Sequence, residues 1–274
     1  MGNSQSKTAI ITGAGSGIGL HLMGTLHKEG FQLGLADVQL SSAQEAIGDT
    51  GTLLYKTMDV RDAGSWQELL HEMTTRFGRV DYLFNCAGIV QPSFIYNSPL
   101  ADIDRHIDIN CKGTMYGTKI IADYMKTQGR GHIINMASLA GIAPIPGIAL
   151  YSASKFAVRG FSLAAAQEYE PFGVAISVVC PDVVKTPMHD MELTFDEETA
   201  LVFSGNMKVL TVEDVVKEIV KLMRSRKREI TIPSSRGRLA KLAGLFPRLA
   251  DVLRGRLTKK GLKQISILRG NHGA

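Results

Sequence analysis

Short apolar runs alternate along the chain with longer segments in which apolar residues recur at steps of three or four. The short runs predict buried strands, and the longer periodicity predicts helices with one buried face. The predicted strands lie at residues 7–12, 31–36, 53–58, 80–84, 132–138, 174–179 and 229–233. Helices are predicted after a glycine loop at 13–19 and at 62–77, 101–127, 152–169 and 211–225. Repeated β-α-β units of this kind predict an α/β fold, with a doubly wound parallel sheet of about seven strands and helices on both faces.

Two segments depart from this pattern. Residues 187–208 contain methionine, phenylalanine and turn residues, which is typical of a mobile apolar lid; they include Met188, Met191, Phe195, Phe203 and Met207. Residues 234–268 carry apolar side chains at helical spacing, which predicts one amphipathic face; these are Leu239, Leu242, Phe246, Leu249, Leu253 and Leu257. Because Pro247 has no amide hydrogen, we predict two shorter helices that meet near residues 246–247. The chain is thus divided into a body at 1–233 and an extension at 234–274.

Composition excludes several classes of protein. The chain has 274 residues and is 45% hydrophobic, which is ample for a core. The three cysteines, Cys86, Cys111 and Cys180, share no disulfide or metal spacing, so we expect buried thiols in a reducing, cytoplasmic environment. The seven histidines form no H-x-x-x-H pair, and we expect no metal site. No apolar run reaches about 18 residues and no secretory signal precedes the first strand, so no membrane-spanning helix is expected.

Positive charge is concentrated in the extension. Residues 234–274 hold ten Lys or Arg and a single acid, Asp251, although the whole chain carries only +5. Such asymmetry is typical of an interaction segment. Two interpretations stay open: the apolar face packs on the body or on a second subunit, or residues 234–268 lie on an anionic membrane surface. Nucleic-acid binding is not expected, because Phe246 is the extension's only aromatic residue.

The first residues fit a modification pattern. Met1-Gly2-Asn3-Ser4-Gln5-Ser6 matches M-G-x-x-x-[ST], the N-myristoylation signal. The pattern is short, and an ordinary leader is the alternative interpretation.

The first strand runs into a glycine loop that opens a helix. Its pattern is T-G-x-x-x-G-x-G, from Thr12 to Gly19. Glycines let the backbone turn tightly and bring a helix N-terminus close to a pyrophosphate. The second strand ends in Asp37, where an acid accepts hydrogen bonds from ribose hydroxyls and repels a 2′-phosphate. Because no Lys or Arg occurs at 13–19 or 38–40, Asp37 favours NAD over NADP; a solvated turn aspartate is the alternative.

A tyrosine and a lysine lie one helical turn apart. Tyr151 and Lys155 share a face of the predicted helix, and an ammonium beside a phenol lowers the phenol's pKa, which makes a general base. Ser138 closes an upstream strand, where its hydroxyl can hold a substrate oxygen. A tyrosine packed on a lysine stem is the structural alternative. Asn110 lies in mid-helix and needs a polar partner, which the backbone can supply.

Taken together, these motifs resemble the short-chain dehydrogenase/reductase family. They are the glycine loop, Asp37, Asp59, Asn85-x-Ala87-Gly88, Asn110, Ser138, Tyr151-x-x-x-Lys155, and Pro181 with Thr186, and they span about 7–233. The resemblance implies a seven-stranded parallel Rossmann sheet in a dinucleotide-binding and catalytic domain at 1–233. It implies Tyr151 as acid/base, Lys155 as the group that holds the nicotinamide ribose and lowers the tyrosine pKa, and Ser138 as the holder of the substrate oxygen. Asn110 would hold a water that links Lys155 to solvent.

The resemblance also implies a cofactor site. Asp59 would meet the adenine amine, Asn85 and Gly88 the adenosine ribose side, and Thr186 the nicotinamide carboxamide. The full set of expected cofactor contacts is Gly13, Ser16, Gly17, Ile18, Gly19, Asp37, Asp59, Val60, Asn85, Ala87, Gly88, Tyr151, Lys155, Pro181, Val184 and Thr186. Two positions depart from the family pattern: Cys86 replaces an asparagine, and Asp182 replaces a glycine, where an acid alters the loop or favours the oxidised ring.

These observations predict an NAD(H)-dependent oxidoreductase that interconverts an alcohol and a carbonyl on a lipophilic molecule of steroid, retinoid or fatty-acyl type. The alternative is a non-catalytic NAD-binding regulatory or membrane-surface protein on the same fold. By analogy with the family we expect a homodimer or homotetramer, cytoplasmic or peripheral on a membrane.

Overall fold

Seven parallel strands form the centre of the protein in a computed structural model that describes residues 6–48, 50–205, 209–245 and 247–272. The strands are β1 Thr8–Thr12, β2 Gln32–Asp37, β3 Leu53–Thr57, β4 Tyr82–Asn85, β5 Gly131–Met136, β6 Val174–Pro181 and β7 Glu229–Ile232. Their order across the sheet is β3-β2-β1-β4-β5-β6-β7, which confirms the predicted doubly wound α/β fold. Three features discussed above lie outside the described residues: the acylation pattern at Gly2, the lid residue Met207 and the tail aromatic Phe246.

Ten α-helices occur among the described residues. They are α1 Gly17–Lys28, α2 Ser41–Ile47, α3 Ala63–Phe77, α4 Leu100–His106, α5 Thr114–Gln128, α6 Ala149–Tyr169, α7 Pro187–Glu192, α8 Val212–Ser225, α9 Ser234–Leu245 and α10 Pro247–His272. Helix α2 was not predicted, because its seven residues are too few to show a helical periodicity.

The side chains of the strands pack into two hydrophobic cores, one on each face of the sheet. Within β1, Ile10 packs with Trp66 of α3 and Ile11 packs with Leu22 of α1, on opposite faces of the sheet. Neighbouring residues of a strand point to opposite faces, so a continuous apolar run fills both layers. Helices α1, α2 and α8 cover one face, and α3, α5 and α6 cover the other.

The predicted helix at 101–127 is interrupted. A π-helical segment, Ile107–Gly113, joins α4 to α5 and contains Asn110. π-Helical turns inside α-helices are frequent at functional sites. The segment is tightly packed, since a Cβ at Gly113 would lie 2.6 Å from Cγ2 of Val60.

The extension packs on the body. Ile265 of α10 is fully buried in a cluster with Phe203 and Leu193, and a Cβ at Gly261 would lie 1.7 Å from the carbonyl oxygen of Ala200. Arg269 donates hydrogen bonds of 2.6 Å to the carbonyl oxygen of Leu193 and 2.9 Å to that of Phe195. The second half of α10 therefore packs against residues 193–205, which belong to the segment at 187–208 predicted as a lid.

Helical structure lies on both sides of the predicted break, in α9 up to 245 and in α10 from 247, but the break itself falls at Phe246, outside the described residues, and stays a prediction. The predicted apolar face is only partly covered: Leu239 and Leu242 are 64% and 54% exposed, whereas Leu257 is half-buried against a cavity of the body. The side chains of Leu249 and Leu253 lie outside the described part. The residues of α10 that pack inward are instead Gly261, Gln264 and Ile265, because the two helices meet the body with different faces.

None of the helices in the described part of the chain is both long and apolar enough to cross a membrane. The same residues contain no group of three or more His, Cys, Asp or Glu side chains arranged to hold a metal ion.

A pair of glycine substitutions tests the packing between α3 and α5. A Cβ at Gly117 would lie 2.3 Å from Cη2 of the fully buried Trp66, whereas a Cβ at Gly24 in α1 would meet nothing within 4 Å. We expect Gly117→Ala to lower the free energy of unfolding by about 1–3 kcal/mol through overpacking. Gly24→Ala should raise it by up to about 1 kcal/mol through helix propensity. Urea unfolding measures both, and an unchanged Gly117→Ala protein would show that this contact is not tight.

Candidate active site

The glycine loop connects β1 to α1 at the carboxyl edge of the sheet. Gly13 has a φ of +67°, which a residue with a side chain rarely adopts, and its Cβ would lie 2.7 Å from the amide nitrogen of Ala87. Gly19 brings α1 onto the loop, since its Cβ would lie 2.1 Å from the carbonyl oxygen of Gly13. Ser16, at the N-cap of α1, makes no side-chain cap hydrogen bond. The amide groups of the first helical turn thus have no side-chain partner and are suited to an anion.

The loop faces two other predicted contacts. A Cβ at Gly17 would lie 3.3 Å from Cγ2 of Thr186, which follows β6. Asp37, at the end of β2, accepts a 2.9 Å hydrogen bond from the Gly15 amide and a 3.2 Å bond from the Gln39 amide. This cradle, with a carboxylate fixed beside a glycine backbone and a helix N-terminus, fits a dinucleotide.

Ser138, Tyr151 and Lys155 converge beside the cradle. Ser138 follows β5, and its Oγ accepts a 3.1 Å hydrogen bond from the Ala140 amide. Tyr151 and Lys155 are one turn apart on α6, with the Lys155 Nζ 5.5 Å from the centre of the Tyr151 ring. The Nζ donates a 2.9 Å hydrogen bond to the carbonyl oxygen of Met136, the last residue of β5. The end of β5 therefore positions both the serine and the lysine.

Asn110 and Gly88 adjoin the lysine. A Cβ at Gly88 would lie 3.2 Å from Oδ1 of Asn110 and 3.3 Å from Nζ of Lys155. The Asn110 Nδ2 donates to the Ile89 carbonyl and to Ser154 Oγ, both at 2.9 Å, and its Oδ1 accepts from the Ile89 amide at 2.8 Å. The asparagine thus ties the loop after β4 to α6, as the backbone-pinned interpretation expects, and its water-holding role stays a prediction.

Burial dominates the protonation of the pair. Burial raises the pKa of the Tyr151 phenol above its ordinary value, the negative charge of Glu192 raises it further, and a hydrogen bond with Ser138 lowers it. Burial lowers the pKa of Lys155 to about 8, so the amine is still mainly protonated at pH 7. The pKa of the phenol is therefore raised rather than lowered as predicted, because burial is the largest influence on it. The protonated phenol is a proton donor.

The remaining residues predicted to contact the cofactor lie at the same edge of the sheet, and several of them have partners within the protein. Asp59 pairs with Arg61 at 2.6 Å, and this guanidinium lowers the pKa of the Asp59 carboxyl. The carbonyl of Val60 accepts a 3.0 Å hydrogen bond from Trp66. The Asn85 side chain is buried away from the cradle, where its Nδ2 donates 2.8 Å to Asn135. Ile18, Gly88, Pro181, Val184 and Thr186 line the same cavity as the catalytic candidates.

The family model for short chain dehydrogenases matches residues 7–196. The chain belongs to the short-chain dehydrogenase family. The diacetyl reductase [(S)-acetoin forming] of Staphylococcus epidermidis is 34% identical over 199 residues, which is 70% of this chain and 76% of that protein. The family is one of oxidoreductases, and a nicotinamide cofactor fits the glycine cradle described above.

Solved structures agree with this assignment. Levodione reductase superposes with a TM-score of 0.77 and 27% identity, covering 84% of this chain and 97% of its own. ElxO with NADP bound gives a TM-score of 0.75 and 25% identity, over 83% of this chain and 97% of its own.

The cavity of this short-chain dehydrogenase extends beyond the family match. It has a volume of about 620 Å³, and α9 and α10 supply part of its wall through Arg236, Leu239, Ala240, Ala243, Leu257 and Lys260. Arg236 pairs with Asp182 at 2.5 Å, directly after β6. Asp182, where the family often has glycine, therefore anchors the extension beside the catalytic groups.

Sequence reasoning missed the polar residues of this wall. His189 and Glu192 lie three residues apart in α7 and both line the cavity. Their one signal in the sequence was that they are titratable residues within an apolar segment. The basic tail residues Arg236 and Lys260 were counted as charge, and nothing in their spacing placed them in the cavity wall.

Proposed function

We propose that this short-chain dehydrogenase is an NAD(H)-dependent enzyme that interconverts an alcohol, preferably secondary, and a carbonyl on a lipophilic molecule. The observation that carries the proposal is the convergence of Ser138, Tyr151 and Lys155 on one cavity that also borders the glycine cradle. When bound, the nicotinamide ring supplies the hydride donor or acceptor. Everything else in the reaction is assigned to side chains of this chain.

The proton is transferred at the Tyr151 hydroxyl. In reduction the phenol, kept protonated by burial, gives its proton to the carbonyl oxygen; in oxidation the same oxygen accepts the alcohol proton. Ser138 holds the reacting oxygen beside it. The ammonium of Lys155 stabilises negative charge as it develops on the phenolate, from a position fixed by Met136.

Asp37 supports the choice of NAD. Both carboxylate oxygens are oriented by backbone amides beside the glycine loop, where the adenosine ribose of a dinucleotide binds in this fold. A 2′-phosphate would bring negative charge against this carboxylate, and residues 13–19 and 38–40 offer no Lys or Arg to balance it.

The cavity wall supports a lipophilic substrate. It is formed largely by aliphatic side chains of the loop before α6, of α7 and of the extension, including Ile145, Ile148, Met188, Leu201, Leu239 and Leu257. Ligand pockets of this composition fix orientation through a small number of polar groups.

Replacement of the tyrosine tests the chemistry. Tyr151→Phe removes the transferable proton and leaves the glycine cradle intact, so turnover should fall by about 10²-fold or more while NADH binding persists. Steady-state NADH oxidation with lipophilic ketones and NADH fluorescence titration measure the two quantities. The matched control is Tyr96→Phe, at an exposed tyrosine, which should keep full turnover. Near-normal turnover of Tyr151→Phe would refute the mechanism.

Replacement of Asp37 tests the preference for NAD(H) over NADP(H). The wild-type protein should show a clearly higher kcat/KM with NAD(H) than with NADP(H). Asp37→Ala should lower the ratio of kcat/KM with NAD(H) to kcat/KM with NADP(H). The main cause is weaker binding of NAD(H), because its ribose hydroxyls lose a hydrogen-bond acceptor. A wild-type preference for the phosphorylated cofactor would disprove the role assigned to Asp37.

We also propose that the outer face of the extension contacts an anionic membrane surface. Exposed apolar residues, Leu242 and Val252, lie on the helices that also carry exposed basic residues, which are Arg238, Arg256, Lys259 and Lys263. Basic residues near such a surface contribute about 1 kcal/mol each, and apolar side chains enter the acyl boundary. Since α9 and α10 also wall the cavity, this orientation supplies substrates dissolved in lipid.

Sedimentation with vesicles tests this contact. The protein should pellet with phosphatidylserine-containing liposomes at low salt and be partly released at high salt, because charge attraction is screened. Replacing Arg238, Arg256, Lys259 and Lys263 with Gln should abolish binding, whereas the same charge change at Lys28, Arg130, Lys217 and Arg224 should not. Full-length protein that stays in the supernatant at low salt would leave the extension with its packing role alone.

A further inference from the structure

One wall of the cavity is polar without having polar partners. Glu192 is 8% exposed and His189 is 3% exposed, and both line the cavity from α7. Nε2 of His189 is buried without a hydrogen-bond partner among the described residues. No hydrogen bond or ion pair joins the Glu192 carboxyl to another described side chain, and the carboxyl borders the cavity. The His189 ring is held by Phe203, whose ring centre lies 5.6 Å away, and by a 3.0 Å contact between Nδ1 and Asp190.

The mechanism proposed above leaves Glu192 without a role. Glu192 and Tyr151 line the same cavity, so the carboxyl faces the space beside the phenol. A buried polar group without a partner is unfavourable, and in native proteins such groups are rare unless they serve a ligand. Glu192 is therefore suited to bind a polar group of the substrate other than the one held at Ser138 and Tyr151.

The surrounding charges decide which part it binds. Among the residues that the structure describes, the cations that line the cavity are Lys155, Arg236 and Lys260, and Arg236 is paired with Asp182, the one acid of the wall besides Glu192. The remaining titratable groups are His189, Tyr151 and Cys86. A cationic substrate would enter a region with an excess of positive charge. Burial also raises the pKa of Glu192 to about 8, so near neutral pH the carboxyl is mainly protonated and can donate a hydrogen bond.

We propose that Glu192 recognises a second oxygen of the substrate by a hydrogen bond, so that the cavity selects lipophilic molecules with two oxygen functions. One oxygen reacts at Ser138 and Tyr151, and the other, a hydroxyl or carbonyl, lies at Glu192. This assignment rests on the proposed function, because it takes the cavity to be the substrate site. A substrate of the same shape without the second oxygen would leave the carboxyl buried and unpaired, and would bind more weakly.

Two matched pairs of ketones test the assignment in the full-length protein loaded with NAD⁺, in which a ketone binds without being reduced. One pair is 4-tert-butylcyclohexanone and 4-(2-hydroxypropan-2-yl)cyclohexanone, which differ by a methyl and a hydroxyl group. The other is 17,17-dimethyl-5α-androstan-3-one and 17β-hydroxy-17α-methyl-5α-androstan-3-one, which place a tertiary hydroxyl, inert to NAD⁺, farther from the ketone. Isothermal calorimetry measures each Kd.

In the wild type, the hydroxylated member of at least one pair should bind about tenfold more tightly than its parent, a difference of about 1.4 kcal/mol. Glu192→Leu should reduce the ratio to near unity, mainly by weakening the hydroxylated ligand. Glu192→Gln keeps a donor of similar size and should retain most of the preference. Met188→Leu, a change of shape in the same wall without loss of polarity, should retain it as well.

Three outcomes would overturn the assignment. The first is a wild type without a hydroxyl preference, which includes a wild type that binds neither member of either pair. The second is a preference that survives Glu192→Leu. The third is a larger increase in affinity with 4-(2-aminopropan-2-yl)cyclohexanone than with the hydroxyl analogue, which would make Glu192 a cation site. Turnover of the parent ketones with NADH separates this result from the proposed function. Turnover without a hydroxyl preference refutes only the role of Glu192, whereas tight binding of the hydroxylated ketones without turnover refutes only the reaction.

Discussion

The buried ammonium of Lys155 sets the constraint on which the rest of the site depends. A cation in this position has lost its hydration, which lowers its pKa to about 8, and a buried charge of this kind needs polar neighbours. The Met136 carbonyl at the end of β5 is the neighbour that accepts its hydrogen bond. Gly88 leaves room for the Nζ, and Asn110 in the π-helical segment fixes the loop that carries Gly88. The end of β5, the loop after β4 and the π-helical segment thus all contact the Lys155 ammonium or its neighbours. Tyr151 lies one turn away from Lys155 on α6.

The extension forms part of this cavity, although it lies far along the sequence from Ser138, Tyr151 and Lys155. Asp182 emerges from β6 within the cavity wall and pairs with Arg236, which brings α9 over the cavity. The second half of α10 then clamps the segment that includes Phe203, beside the helix that bears His189 and Glu192. The region outside the family match therefore supplies part of the wall of the cavity that Ser138 and Tyr151 also line.

The sheet and its cradle could be predicted because their signals are local. An apolar run followed by glycines at fixed spacing allows only a tight turn into a helix, and Asp37 ends a strand whose register places it beside Gly15. The α2 helix was too short to leave a pattern, and the π-helical turn around Asn110 replaces hydrogen bonds without altering the apolar spacing. The tyrosine pKa was misjudged because a sequence shows the neighbouring charge but not the burial. The inward face of α10 and the unpaired Glu192 depend on tertiary contacts, which no local spacing encodes.

The central claim is that this cavity transfers hydride between a nicotinamide cofactor and a lipophilic carbonyl compound, and isotope transfer tests it most directly. NADH carrying two deuterium atoms at C4 is incubated with the full-length protein and decan-2-one, 4-tert-butylcyclohexanone or 5α-androstan-3-one, and the products are analysed by mass spectrometry. The account predicts that at least one of these ketones gives an alcohol with a single deuterium on the carbinol carbon, and that Tyr151→Phe forms little of it. A protein that binds NADH but forms no deuterated alcohol from any of the three would contradict the claim.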